Sequence, residues 1–253
     1  TALVTIMLAQ NETGILFPME EIGRIVRDNS TAVFHVDGVQ AAGKIPLDLK
    51  TTEVDLFAVS GHKLYAPKGI GALYVRSGVT LPSMVMGGAQ EGGRRAGTEP
   101  VPSIVGLGKA CELSEASLES SANRALRDRL EDAILGRIPN ASVNGTGDRS
   151  LRLPNTASIS FAYLEGETIM AHLDDAGILV STGSACNSAS HTASAVLTTM
   201  NIPYTTAMGS IRFSVGRFNT ELEIDETVLI LTEVVDRLIE ISPYEKELAA
   251  NRS

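Results

Sequence analysis

The sequence predicts an α/β protein. Three short apolar runs, Leu3–Leu8, Ala32–Val36 and Asp55–Ser60, have the length of buried strands, and each ends at a polar or glycine-containing loop. Between the first two, Met19, Ile22, Ile25 and Val26 fall at helical spacing after Pro18, a residue suited to a helix start. A fourth run, Ile70–Val75, follows Pro67-Lys68-Gly69. Strands alternating with a helix and with longer connections are the pattern of an α/β unit.

Composition narrows the class. A chain of 253 residues suffices for one large domain or two smaller ones. Apolar residues make up 43% and charged residues 20%, the balance of an ordinary globular protein. No apolar run approaches a membrane span. A net charge of -9 argues against a nucleic-acid-binding surface. With no Trp and 4% aromatics, the core is expected to be aliphatic. Cys111 and Cys186 form neither a disulfide framework nor a metal site, so a reducing compartment is expected. The chain opens at Thr1, directly on the first strand, with no cationic n-region and no cleavage site. It therefore reads as truncated rather than as led by a signal peptide.

After the fourth strand comes Gly87–Glu99, a glycine-rich basic stretch without Rossmann or Walker spacing. Its backbone N–H groups with Arg94, Arg95 and Thr98 could hold an anion, or the stretch could be a surface loop. From Ile104 to Ile138 the pattern is helical, with Ala122, Leu126, Leu130 and Ile134 at four-residue steps, and a domain boundary is expected inside it. Asn144-Gly145 and Gly147-Asp148 are turn signals. Ala157–Ala162 reads as a strand, Gly166–Ala176 as a helix closed by Gly177, and Ile178–Val180 as a short strand. In Ser181–Ser190 nearly every side chain is small. A thiol at Cys186 is little obstructed there and reads as functional, whereas Cys111, in an apolar helical pattern, reads as a buried small hydrophobe. Gly209–Val215 reads as a strand placing Arg212 on one face with Ser210 and Ser214. Arg212 suits a carboxylate ligand or an ion pair with one of the chain's acids. Ile224, Val228, Leu231, Val234, Leu238 and Ile241 mark a long amphipathic helix with acids in its first turn.

The chemistry gathers at strand ends. In open α/β sheets ligands lie beyond the carboxyl ends of the strands. The second strand ends in Asp37-Gly38-Val39-Gln40 and the third in Ser60-Gly61-His62-Lys63. A lysine and a carboxylate so placed are the pair that a pyridoxal phosphate (PLP) site needs: the amine forms the Schiff base, and the acid keeps the pyridine nitrogen protonated. The alternative is that both are solvated residues at loop starts.

Ala9–Gly14, Val36–Gln40, Ser60–Lys63, Gly87–Thr98, Thr182–Ser188 and Ser210–Arg217, taken in this order, resemble the NifS/IscS-like cysteine desulfurases, of the class-V aminotransferase family. Residues 201–209 and the short stretch after Cys186 are more similar to the NifS branch. The resemblance implies the PLP-dependent, aspartate-aminotransferase-like fold: a partial large-domain mixed sheet over residues 1–112 and a smaller α+β domain over 113–253 carrying the cysteine loop. It implies that Lys63 carries pyridoxal 5'-phosphate and shuttles protons, that Asp37 and Gln40 hold the ring, and that Ser60 and His62 hold the phosphate. Thr98 would reach the partner subunit's phosphate, making a homodimer. Asn11, also a cofactor contact, and Arg212 would grip the carboxylate of L-cysteine. Lys63, His62 and Cys186 form the catalytic set, with Cys186 taking the sulfur as a persulfide while alanine leaves. Implied partners are sulfur acceptors such as an iron–sulfur scaffold, in the cytoplasm, without nucleic acid or membrane. No metal is implied. The family's N-terminal phosphate loop and ring-stacking residue have no counterpart before Leu3, and Gln10 stands where Asn is common. A selenocysteine lyase and a non-catalytic fragment or subunit are the alternatives.

Overall fold

The computed structural model describes residues 1–118, 121–183 and 192–244. The chain forms two compact units, Thr1–Ala9 with Phe17–Glu119 and Gln10–Leu16 with Ser120–Ser253.

The first unit is built on four strands in sequence order: β1 (Leu3–Met7), β2 (Val33–Asp37), β3 (Leu56–Ser60) and β4 (Gly71–Val75). The first three are parallel and β4 is antiparallel to β3, so the sheet is mixed. Helix α1 (Met19–Asn29) makes the crossover from β1 to β2. It packs on the sheet at Gly23, where an added Cβ would lie 3.2 Å from the ring of the buried Phe34. Asp55 ties the unit together from a buried position. Its carboxylate accepts from the Phe34 amide at 2.9 Å and from Arg27 Nη2 at 3.0 Å, joining α1, β2 and the start of β3. Helix α2 (Val101–Ser117) buries only Leu107 and Ala110 within the unit.

The second unit holds helix α3 (Ala122–Arg137), strands β5 (Ala141–Val143) and β6 (Thr156–Phe161), helices α4 (Gly166–Asp175), α5 (Ala195–Thr199) and α6 (Tyr204–Ala207), strand β7 (Ser210–Ser214) and helix α7 (Glu221–Glu240). Its sheet is antiparallel in the order β5-β6-β7. Strict alternation divides the two faces. Ala157, Ile159, Phe161, Ile211 and Phe213 meet Leu126, Leu130 and Ile134 of α3, Ile169 and Leu173 of α4, and the buried stripe of α7 in one aliphatic core. Thr156, Ser158, Ser160 and Ser210 face the other way and are buried too. Asn144 satisfies that face: its Nδ2 donates to Ser158 Oγ and Ser210 Oγ at 3.1 and 2.9 Å, and Oδ1 accepts from Ser160 Oγ at 2.9 Å. Helix α7 starts at a reciprocal cap, with the Thr220 side chain on the Glu223 amide and the Glu223 carboxylate on the Thr220 amide.

Segment Gln10–Leu16 is laid onto this unit by backbone pairing. The Leu16 amide donates to Leu151 O at 2.9 Å, and the Leu153 amide to Gly14 O at 2.8 Å. Between them, Arg152 is fully buried in a bidentate pair with Glu131 of α3, both contacts at 2.8 Å. Arg149 Nε also donates to Glu131, at 2.9 Å, and its fork reaches Asp132. Burial opposes ionisation of Glu131, but the hydrogen bonds and charges of Arg152 and Arg149 outweigh it and hold the carboxyl below its ordinary range.

Several sequence expectations change. The division expected at residues 112/113 would cut α2, which lies whole in the first unit. Ile178–Val180 is not a strand: the chain makes an isolated bridge with β7 just after it, at Ser181↔Arg212, and Leu179 is 83% exposed. Strand β5 is too short and too close to the Asn144-Gly145 turn to register as a period-two pattern. Cys111 is exposed rather than buried, because α2 is apolar on several sides and its content does not say which side is covered. On α7, Val235 and Ile239 join the buried stripe while Ile241 is exposed. Among the described residues, no helix is long and apolar enough to cross a membrane.

Removing one partner of a buried ion pair strands the other, at about 3–5 kcal/mol. Glu131→Ala is therefore expected to lower the unfolding free energy by about that amount in urea titration. Because Glu131 has a depressed folded-state pKa, its contribution is present above the unfolded value of about 4.3 and fades as pH falls through the lower folded value. The wild-type-to-variant difference should shrink on acidification and be constant above about pH 6.

Candidate cofactor and substrate site

In the first unit, β2 and β3 are parallel neighbours, so Asp37 and the Ser60–Lys63 stretch emerge at the same, carboxyl end of the sheet. Asp37 is the last residue of β2 and is exposed. Its Oδ1 accepts from the Val39 amide at 2.9 Å, which turns the chain away and leaves the carboxylate at the sheet end. The turn must pass close over β3: the Gly38 amide donates to Ala58 O at 3.0 Å, and a Cβ at Gly38 would fall 1.9 Å from Cζ of Phe57. Gln40 lies in the following turn, where its Oε1 accepts from Lys44 Nζ at 3.2 Å.

Lys63 sits on a single 3₁₀ turn, Gly61–Leu64, immediately after β3. The turn is anchored at three points. The Gly61 amide donates to Ile70 O at 2.9 Å, Leu64 is buried, and Tyr65 closes the turn in the left-handed region at φ 65°. Ser60 and Lys63 are half-buried and His62 is exposed. Thr98 is exposed and follows the turn Gln90–Gly93. Its stretch is ordered locally: Gln90 Oε1 accepts from the Gly97 amide at 3.1 Å, and the Ala96 amide donates to Val85 O at 3.1 Å.

The second unit brings Asn11 and Arg212 together. Arg212 lies on the polar face of the sheet, opposite Ser158, and its Nη1 donates to Asn11 O at 2.8 Å. Its Nε is buried without a partner, and no ion pair to Arg212 occurs among the described residues. Burial pushes the guanidinium pKa below its ordinary value, against the pull of Glu12. A buried, incompletely satisfied guanidinium is a standing receptor for a carboxylate. Gln10 builds the turn that presents Asn11: its buried Oε1 accepts from the amides of Glu12 and Thr13 at 2.5 and 2.8 Å. Gly14, at φ +75°, completes it against Thr156. The organising part of Gln10 was not anticipated; a polar residue three places before a Thr-Gly pair is the local signal for it. Cys186 lies outside the described residues.

The donor set of the first unit suits PLP. It offers an amine and an exposed carboxylate at the carboxyl ends of neighbouring parallel strands, with hydroxyl, imidazole and amide groups at the same sheet end. No group of His, Cys, Asp and Glu able to hold a metal ion occurs among the described residues.

The sequence matches the aminotransferase class-V family over residues 1–227. It is 54% identical over 251 residues to a cysteine desulfurase of Nostoc sp., covering 98% of this chain and 62% of that one. It is 49% identical over 245 residues to the cysteine desulfurase NifS of Azotobacter vinelandii, covering 96% and 60%. Among solved structures, a NifS-like protein superposes with a TM-score of 0.85 at 37% identity, covering 94% of this chain and 62% of that one. A NifS-like protein from Rickettsia africae superposes at 0.82 with 33% identity, covering 92% and 62%. The chain thus spans about three fifths of the length of these relatives.

The close pass at Gly38 yields a test. Gly38→Ala forces the Phe57 ring from its site and should cost about 1–3 kcal/mol or more in urea unfolding, the range for overpacking a core.

Proposed function

Since the chain belongs to the class-V aminotransferase family and has its PLP-dependent fold, we propose that it is the greater part of a cysteine desulfurase that converts L-cysteine to L-alanine and carries the sulfur as a persulfide on Cys186. The observation that carries this reading is the placement of Asp37 and Lys63 at the carboxyl ends of adjacent parallel strands. The relatives named cysteine desulfurase support it.

When bound, PLP supplies an electron sink for the carbon that bears the substrate amine. Lys63 holds it, on a turn whose three anchors limit where the amine can travel, and then moves a proton at the substrate carbon. Asp37 keeps the pyridine nitrogen protonated, Gln40 donates to the ring oxygen, and Ser60 and His62 bind the phosphate. Asn11 and Arg212 orient the substrate by its carboxylate, the buried Nε of Arg212 gaining the partner that it lacks. Cys186 attacks as a thiolate. The carbon–sulfur bond breaks, a sulfur–sulfur bond forms, and a proton replaces sulfur on the carbon. Thiol and cysteine give persulfide and alanine without an outside oxidant. The first unit is then the PLP-binding part and the second the thiol-carrying part. Thr98 serves a partner subunit's phosphate in a homodimer, and the persulfide passes to an acceptor protein such as an iron–sulfur scaffold. A reducing cytoplasm keeps Cys186 a thiol.

A second reading has an observation behind it. The chain spans 62% of its relatives' length, which suits a fragment or subunit that needs another segment to hold PLP. Borohydride reduction after incubation with PLP separates the two. A pyridoxyl group mapped to Lys63, lost in Lys63→Ala, together with alanine release from cysteine, supports the enzyme. A folded chain with no adduct supports the fragment. Running selenocysteine beside cysteine tests for a lyase.

Arg212→Lys keeps the charge but loses the fork. It is expected to raise KM for cysteine by about tenfold or more with a smaller change in kcat, read from steady-state alanine formation.

A further inference from the structure

Gln40 and Lys44 share one coiled turn beside the lysine that would hold PLP. Gly38 O accepts from the Ala41 and Ala42 amides at 3.0 and 2.8 Å, and Ala41 O accepts from the Lys44 amide at 3.0 Å. Ala41 and Ala42 are buried and root the turn in the first unit. Gly43, at φ +68°, passes through a gap that an added Cβ would close, 2.5 Å from Cδ2 of Leu64 and 2.8 Å from Cβ of Ser114 on α2. Leu64 directly follows Lys63, so the coiled turn rests on the same 3₁₀ turn that carries that amine. Side chains four positions apart on a helix-like turn are neighbours. The half-buried Lys44 accordingly reaches Gln40, and its Nζ donates to Oε1 at 3.2 Å. An ammonium group has three donors and no acceptor, so it can hold only the oxygen end of a carboxamide. The two ends of the Gln40 amide are nearly equal in size, and a half-turn about its last bond exchanges a donor for an acceptor. Lys44 removes that ambiguity.

We propose that Lys44 is a positioning residue for the cofactor: it holds Gln40 by its carbonyl oxygen, so that the amide nitrogen is the end offered to the ring oxygen of PLP. A ring oxygen that carries negative charge is favoured by a donor and disfavoured by an acceptor. The wrong half-turn would therefore make a stabilising contact repulsive. Lys44 acts through Gln40 and does not touch PLP. The inference rests on the PLP reading of Lys63 and Gln40 for its purpose, but the hold on the amide can be tested without the cofactor.

The test compares Lys44→Met, which keeps the stem without a donor, Lys44→Arg, which keeps donors only, Gln40→Ala, and Lys44→Met combined with Gln40→Ala. The side-chain carbonyl carbon of Gln40 is followed first, by NMR, in the chain without PLP. Its resonance should move upfield in Lys44→Met, as for a carbonyl that loses a donor, and hold its place in Lys44→Arg. With PLP, Lys44→Met is expected to weaken cofactor binding by about three- to tenfold. It should also raise, by about half a pH unit or more, the protonation midpoint read from the visible absorption of bound PLP. Lys44→Arg should keep PLP affinity within about twofold of wild type. In the Gln40→Ala background, Lys44→Met should change neither quantity further, as for two members of one linkage. An unmoved Gln40 resonance in Lys44→Met overturns the proposal. So does a Lys44→Arg variant as poor as Lys44→Met. So does a midpoint shift that persists in the Gln40→Ala background, which would assign Lys44 a direct charge effect on the cofactor. If the wild type binds no PLP, the enzyme reading of this chain fails, and the NMR experiment alone upholds or rejects the hold on Gln40.

Discussion

The buried pair between Arg152 and Glu131 is the contact on which the Gln10–Leu16 segment of the second unit depends. Arg152 has no exposed surface, and both terminal nitrogens are committed to one carboxylate of α3. The two backbone bonds that receive Gly14 and Leu16 flank this arginine. Helix α3, set in the aliphatic core, thus fixes residues 149–153. These fix Gln10–Leu16, and that segment carries Asn11 and Glu12. A desolvated ion pair contributes little net stability over an apolar substitute. What it gives here is a fixed place for a seven-residue segment whose first five residues carry no large apolar side chain.

The two units present their candidate functional groups by different means. In the first, parallel pairing sends two strand ends in one direction, and short turns at Gly38 and Gly61–Leu64 hold the polar groups at that edge. In the second, the candidate residue Arg212 lies on the polar face of an antiparallel sheet, among serines. A charged group can be buried there because the backbone of Asn11 and the carboxylate of Glu12 are close at hand.

Much of this was legible in the sequence. The strands ending at Asp37 and Ser60 were visible as short apolar runs with abrupt polar ends, and Arg212 stood out as a cation inside a strand. The motif order from Gln10 to Arg217 carried the family. What escaped had a physical reason in each case. Strand β5 has three residues, below the length at which alternation can be counted. Ile178–Val180 is apolar enough for a strand, but pairing is decided by the neighbour's edge, which the chain bridges at Ser181, one residue past this run. Cys111 was misjudged because apolar content on α2 does not reveal which side is covered. The Ser194 hydroxyl donates to the Glu12 carboxylate across 182 positions, and no local pattern joins them.

The divided faces of the second sheet also bear on how the chain finds its fold. Side chains alternate along β7, so a slip of one residue against β6 would exchange the two faces completely. Ile211 and Phe213 would turn toward Asn144 and the β6 serines, and Arg212 would enter the aliphatic core. Few misalignments are penalised so heavily by a single residue. Arg212 therefore weighs against every one-residue slip, and in the observed register its guanidinium reaches the Asn11 carbonyl instead of the core.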